Sequence, residues 1–252
     1  MPVSSITEPS PRLSALLDCE YGILWGERTL SRETRLNYDR LGFVSLYYST
    51  KGNQTLFVIG RNDIRKPVEL GAIAREVRDC TRCHLHRERQ RAVPGEGSEN
   101  AKIVLVGEAP GREEDIQGRP FVGRSGKILD QVLVLAGLKR DDLFITSVVK
   151  CRPPGNRVPR RVEYETCIRA HLWRQIDAID PIIICLLGGV AAKALLGTHR
   201  LSEIRGNVIK QGKKKFFPTY HPAGAGRNPS WYRRLSKDMA KLRTLLESRF
   251  SE

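Results

Sequence analysis

Four short apolar runs constrain this chain more than any other feature of its sequence. They are Lys-Ile-Val-Leu-Val at 102–106, Leu143 to Val149, Pro181 to Leu187 and Phe216 to Tyr220. Runs of this kind, short, rich in β-branched residues and without strict alternation, read as strands buried on both faces. The segments between them have helical spacing. Residues 71–79 read as a helix. Ser125 opens another, in which Ile128, Leu129, Val132, Leu135 and Ala136 recur and Gly137 is the stop. A third runs from about Arg160 to Ile179, a short one follows Gly188-Gly189 through Leu196, and a last one carries Leu235, Met239, Leu242, Leu245 and Leu246. Residues 107–124 read as a loop. Strands alternating with helices predict an α/β fold, a three-layer sandwich around a central, mainly parallel four-stranded sheet. The ligand crevice of such a sheet lies at the carboxyl ends of its strands.

The chain has 252 residues, of which 28% are charged and 40% hydrophobic, enough for a packed core. Its longest apolar run is strand-sized, so no membrane span is expected. The first residues lack a basic stretch followed by an apolar one, which argues against secretion and for a cytoplasmic, nucleoid-associated protein. The formal net charge is +15. Residues 1–70 carry 9 basic and 8 acidic side chains, whereas residues 71–252 carry 34 and 20. The second part therefore meets any polyanion, and nucleic acid is the first candidate, because neutralised phosphates release counterions. A merely solvated basic surface is the alternative.

Six cysteines stand at 19, 80, 83, 151, 167 and 185. A reducing compartment argues against disulfides. Cys80-Thr81-Arg82-Cys83 is a tight pair, and Cys151 and Cys167 follow it, with 15 residues between them. Four thiolates in this pattern can close around a metal centre, either zinc or iron–sulfur. Cys185, inside Ile-Ile-Ile-Cys-Leu-Leu, reads as a small core residue, and Cys19 has no visible partner.

Three loops fall at the carboxyl ends of the expected strands. The first holds Gly107-Glu108-Ala109-Pro110-Gly111, Glu114-Asp115 and Gly118-Arg119-Pro120-Phe121-Val122-Gly123. The second reads Lys150-Cys151-Arg152-Pro153-Pro154-Gly155-Asn156-Arg157, and the third His221-Pro222-Ala223-Gly224. Together they describe a pocket with a basic rim. Gly123-Arg124-Ser125-Gly126-Lys127 superficially suggests a nucleotide loop but lacks the P-loop order.

On these segments, residues 71–252 resemble the uracil-DNA glycosylase superfamily, in particular its family 4 iron–sulfur enzymes. The four motifs agree in order and spacing, and the four cysteines fall where that family holds a [4Fe-4S] cluster. The resemblance implies a monofunctional enzyme of base excision repair that hydrolyses the bond between deoxyribose C1′ and the base, in DNA containing deaminated bases. A duplex hides that bond, so the nucleotide must be flipped out. Phe121 would stack on the base, with Ser147, Gly107, Ala109 and Asn156 as further base contacts. His221 would donate a hydrogen bond to the base O2, a stabilisation of about 3 kcal/mol or on the order of a hundredfold in rate. For Phe121 the plain alternative is core packing, and for His221 the capping of a helix. Glu108 and Glu114 are the carboxylates that would orient water or stabilise the cationic sugar. Holding the loop through backbone N–H groups is the alternative for Glu108. Arg152, Arg157 and Arg227 read as phosphate contacts. The enzyme is expected to act as a monomer. No lysine presents itself for a lyase step.

Two departures from the family stand out. Its Ile-Thr-Asn segment reads Ile145-Thr146-Ser147 here. An Asn amide can satisfy both the base N3–H and O4, whereas Ser147 has one rotatable hydroxyl on a shorter arm. Losing the bidentate contact costs roughly 1–3 kcal/mol of selectivity, which predicts weaker uracil activity or a broadened set of deaminated bases such as hypoxanthine or xanthine. The last loop, His221 to Arg227, lacks a bulky apolar wedge. Arg227 fills the gap or single strands are preferred. The competing readings are a non-catalytic nucleic-acid-binding module of the same fold and a zinc-stabilised binding protein.

Residues 1–70 form an N-terminal α+β extension without an assigned role. Residues 1–12 read as frayed. Residues 42–60 read as a β-hairpin on which Tyr21, Leu24 and Trp25 pack. Lys213-Lys214-Lys215 reads as a solvated hairpin or a phosphate track.

Overall fold

The computed structural model describes residues 69–198 and 200–247 and, before them, four strands: β1 (Leu24–Trp25), β2 (Asn37–Tyr38), β3 (Val44–Ser49) and β4 (Gln54–Ile59). The chain divides into two compact units, 1–67 and 68–252. In the first, the four strands form an antiparallel sheet in the order β1-β4-β3-β2. The expected hairpin is β3 and β4, in register with Leu46 opposite Phe57. The readings of residues 1–12, of Cys19 and of the Tyr21, Leu24 and Trp25 side chains lie outside the described residues.

The second unit is built on a six-stranded sheet in the order β5-β7-β6-β8-β10-β9. Its four central strands are the four apolar runs: β6 (Ile103–Gly107), β7 (Phe144–Ser147), β8 (Ile183–Leu187) and β10 (Lys214–Thr219). All three pairings among them are parallel. Two antiparallel edge strands, β5 (Glu96–Gly97) and β9 (Ile209–Gln211), enlarge the four-stranded sheet that the sequence predicts. They are too short and too polar to leave a pattern. The β9–β10 hairpin places the 213–215 lysines at the sheet edge, where Lys214 pairs with Asp177 at 2.6 Å.

Seven of the helices carry the site or the core: α1 (Leu70–Arg78), α2 (Arg112–Gln117), α3 (Arg124–Leu135), α4 (Arg161–Cys167), α5 (Trp173–Ile179), α6 (Gly189–Leu196) and, after α7 (Leu201–Ile204) and α8 (Pro222–Ala225), the long α9 (Pro229–Glu247). Alternate residues of β6 enter two separate cores. Val104 and Val106 pack with Ile73, Val77, Leu172 and Ile176, whereas Ile103 and Leu105 pack with Leu129, Val132, Leu235 and Met239. Period-two geometry thus buries both faces of the sheet, which is why its strands read as unbroken apolar runs. Cys185 is fully buried in the second core. The predicted helix over 160–179 is α4 and α5 joined by a π turn at Ile168–Leu172. Within the predicted 107–124 loop lies α2, whose Arg-Glu-Glu-Asp-Ile-Gln sequence has no apolar stripe. It is held by capping instead: Gly111 N donates to the Glu114 carboxylate at 3.1 Å, and Gly118 ends it at φ 71°.

Candidate active site

Parallel register brings the strand ends level. Gly107 pairs with Ser147, and Leu187 with Thr219. The residues that leave these ends, after β6, β7, β8 and β10, meet at one rim. A side-chain carbon on Gly107 would lie 2.7 Å from Phe121 Cζ and 3.2 Å from Ser147 Oγ, so Gly107 is the floor on which Phe121 and Ser147 meet. The Phe121 and His221 rings stand 5.7 Å apart, tilted by 32°. Loops 107–123 and 220–227 and the end of β7 therefore do converge.

Phe121 is buried at a left-handed φ of 52°, unusual for an aromatic residue. Three devices hold it there. The Glu114 carboxylate accepts hydrogen bonds from Val122 N at 2.9 Å and Gly123 N at 2.8 Å, besides that from Gly111 N. Arg140 donates to the Pro120 carbonyl at 2.6 Å and is braced by Asp130 and Glu96. Gly126 completes the clamp, because a side-chain carbon there would lie 1.9 Å from the Phe121 carbonyl oxygen. Glu114, expected as a carboxylate acting on water or sugar, is thus buried and engaged with three backbone N–H groups. The loop-holding part, considered for Glu108, falls to it. Asp115 is likewise buried and accepts from Gln90 N and Arg91 N.

Glu108 is half-buried, and burial alone pushes its carboxyl above the usual range. His221 caps α8: its Nδ1 accepts from Ala223 N at 3.1 Å. That bond fixes the tautomer. With Nδ1 occupied as an acceptor, the ring proton sits on Nε2, which is left as a donor. Desolvation, with Arg227 adding to it, lowers the His221 pKa to about 4, so the imidazole is neutral at working pH. Capping and donation are one arrangement. Gly188, at φ 97°, admits the ring, since a side-chain carbon there would lie 2.8 Å from His221 Cβ. Tyr220 stacks on Trp231 at 4.7 Å, and Trp231 lies over Gly224, so the His221 loop is pinned from outside. The sequence reading missed Gly188, Gly126, Arg140 and Trp231. The left-handed glycine closing an apolar strand at 188 is the one local signal that could have found any of them.

Ala109 packs on the first core. Asn156, exposed at φ 56°, accepts from Arg152 Nε at 2.7 Å. Arg157, expected to touch phosphate, instead gives both terminal nitrogens to buried Glu163, at 2.9 and 2.6 Å, because a buried carboxylate demands a partner. His84 joins the same carboxylate at 2.6 Å, tying the segment after Cys83 to the loop after Cys151. Arg227 is exposed beside His221.

Cys80, Cys83, Cys151 and Cys167 line one cavity, together with Lys150, His86 and His171. Burial raises the Cys83 and Cys151 thiols and pushes Cys167 up to about 12. Arg89 donates to Cys151 Sγ at 2.9 Å. Four free thiols gathered with cationic donors fit an anionic thiolate-bound group. Among the described residues no three His, Cys, Asp or Glu side chains close on a single-ion site. Zinc and iron–sulfur groups both take thiolate donors of this kind. Lys150, fully buried, donates to Thr146 Oγ1 at 2.5 Å and to the Ser147 carbonyl at 2.8 Å, and so links the thiol cavity to the end of β7. Among the described residues no helix is long and apolar enough to cross a membrane.

Comparison with known proteins bears on this rim. The family model of the uracil DNA glycosylase superfamily matches residues 94–246. A Type-4 uracil-DNA glycosylase of Sulfurisphaera tokodaii is 46% identical over 186 residues, covering 70% of this chain and 84% of that protein. Those of Archaeoglobus fulgidus and Thermotoga maritima are 43% and 44% identical over 182 and 162 residues, covering 69% and 63% of this chain and 91% and 83% of theirs. The matched stretch contains all six strands of the sheet and each loop of the rim, and the chain belongs to the uracil-DNA glycosylase superfamily.

Proposed function

We propose that this chain is a monofunctional DNA glycosylase that removes uracil from DNA by hydrolysis. The observation that carries the reading is the Phe121–His221 pair, 5.7 Å apart over the Gly107 floor, with the His221 proton held on Nε2. An extruded base stacks on Phe121. As the C1′–N1 bond breaks, its electron pair moves onto the base, and Nε2–H donates to O2, where the negative charge grows. A neutral donor suits an anionic leaving group and does not need to give up its proton. Glu108 takes the proton of the water whose oxygen joins C1′. Glu114 is a positioning residue that holds Phe121. Ser147 lies at the floor and admits hypoxanthine or xanthine beside uracil. Gly107 and Ala109 offer backbone to the base. Asn156 and Arg152 border the DNA path, and Arg227 contacts a phosphate next to the flipped nucleotide.

Cys80, Cys83, Cys151 and Cys167 hold a [4Fe-4S] cluster, which supplies a rigid cross-link between α1, the loop after β7 and α4. Residues 71–252 are the glycosylase unit and residues 1–70 an extension without an assigned role. The protein acts as a monomer in the cytoplasm at the nucleoid. The test is incubation with oligonucleotides containing uracil, hypoxanthine, xanthine or a thymine mispair, followed by alkali. Strand nicking at uracil supports the reading, and stable binding without nicking would turn it into a binding module.

A further inference from the structure

His171 is 1% exposed, and neither of its ring nitrogens has a hydrogen-bond partner. A buried imidazole left so is costly and needs a reason. The ring lies on the wall of the cavity that the four cysteines line. It belongs to the π turn Ile168–Leu172, which begins at the residue after Cys167. Such turns re-aim side chains within an otherwise regular helix and concentrate at functional sites. Arg89 already donates to Sγ of Cys151, one of the cysteines that line this cavity.

We infer that His171 donates a hydrogen bond to a sulfur of the group bound by Cys80, Cys83, Cys151 and Cys167, and thereby raises its reduction potential. The inference rests on the cluster reading given above. Its physical basis is charge: one added electron makes the cluster sulfurs more negative, and a fixed N–H donor stabilises that form more than the oxidised one. The rival partner is the Gln175 side-chain oxygen, one helical turn on, which is also buried without a partner.

The test uses full-length protein purified anaerobically. Iron, labile sulfide and absorption near ~400 nm are measured first. Their absence overturns the cluster reading and this inference with it. The one-electron potential is then compared among wild type, His171→Phe and His171→Gln. Phe should lower it by about tenfold in the ratio of reduced to oxidised cluster, 59 mV for one electron. Gln, which keeps an N–H donor, should restore at least half of that shift. Where the Phe variant does not load iron, pulsed electron resonance of ring-15N-histidine protein decides. The paramagnetic cluster should couple to a histidine nitrogen in wild type and in His86→Gln, and not in His171→Gln. A cluster present with an unmoved potential, or a coupling that survives in His171→Gln, overturns the inference alone and leaves the ring to Gln175.

Discussion

At Ser147 a single side chain separates two outcomes. Ser147 is buried, 6% exposed, beside Gly107 at the end of β7, and in the proposed reading its hydroxyl faces the base. Ser147→Asn should raise uracil excision relative to hypoxanthine and xanthine by about tenfold or more, on a difference of roughly 1–3 kcal/mol. Single-turnover rates on the three substrates measure it, and an unchanged ratio removes Ser147 from base selection. Glu108 makes a second prediction. A raised folded pKa favours the protonated form, so its contribution to stability is present at low pH and is lost as pH rises through that value. As the proposed acceptor of the water's proton, Glu108 must act in its ionised form. The acid limb of the rate profile should therefore lie above the ordinary carboxylate value of 4.5, and Glu108→Gln should abolish the limb along with most activity. The same variant should unfold at a temperature no lower than wild type at neutral pH, a combination that a loop-holding residue would not give.

The elements around the rim explain why those groups stand where they do. Gly188 joins β8 to α6 at a left-handed φ of 97°, and the His221 ring occupies the space of its missing side chain. Gly188→Ala should push the imidazole aside and lower kcat by about a hundredfold, as displacements of about 1 Å do. Binding of uracil-containing DNA should change far less, which a comparison of Kd with single-turnover rate would show. Glu114 makes the opposite case. Removing it strands three backbone N–H groups of α2 and the Phe121 loop. Glu114→Ala should cost about 3 kcal/mol of stability by denaturant titration, along with activity. A variant that lost activity with undiminished stability would return Glu114 to the chemistry itself.

On the scale of the molecule, the positive charge concentrates after residue 70, and several of its arginines are already committed. Arg157, Arg140, Arg174 and Arg205 close ion pairs within the fold. Counting basic residues in the sequence therefore overstates the DNA-binding charge. Arg227, exposed beside His221, is a stronger candidate for phosphate than Arg157. Arg227→Ala should reduce the slope of log affinity against log salt by about 1, while Arg157→Ala should leave the slope unchanged and lower the melting temperature. Equal slopes for Arg227→Ala and wild type would remove the phosphate contact.

What was legible in the sequence was local or periodic. The parallel core strands announced themselves because burial on both faces leaves an unbroken apolar run. Helices α3 and α9 did so because a one-sided core leaves a stripe, and the cysteine set because four thiols at such spacings are chemically unusual. What tertiary structure alone decided was pairing between residues far apart in the chain. That Glu114 and not Glu108 holds the Phe121 loop, and that Arg157 answers Glu163, depends on which donors the fold brings near each carboxylate. The edge strands β5 and β9 exist only because a sheet is there to receive them. The proton on His221 is the same kind of fact: the amino acid permits either tautomer, and the helix start at Pro222–Ala225 selects one by supplying a backbone N–H to Nδ1.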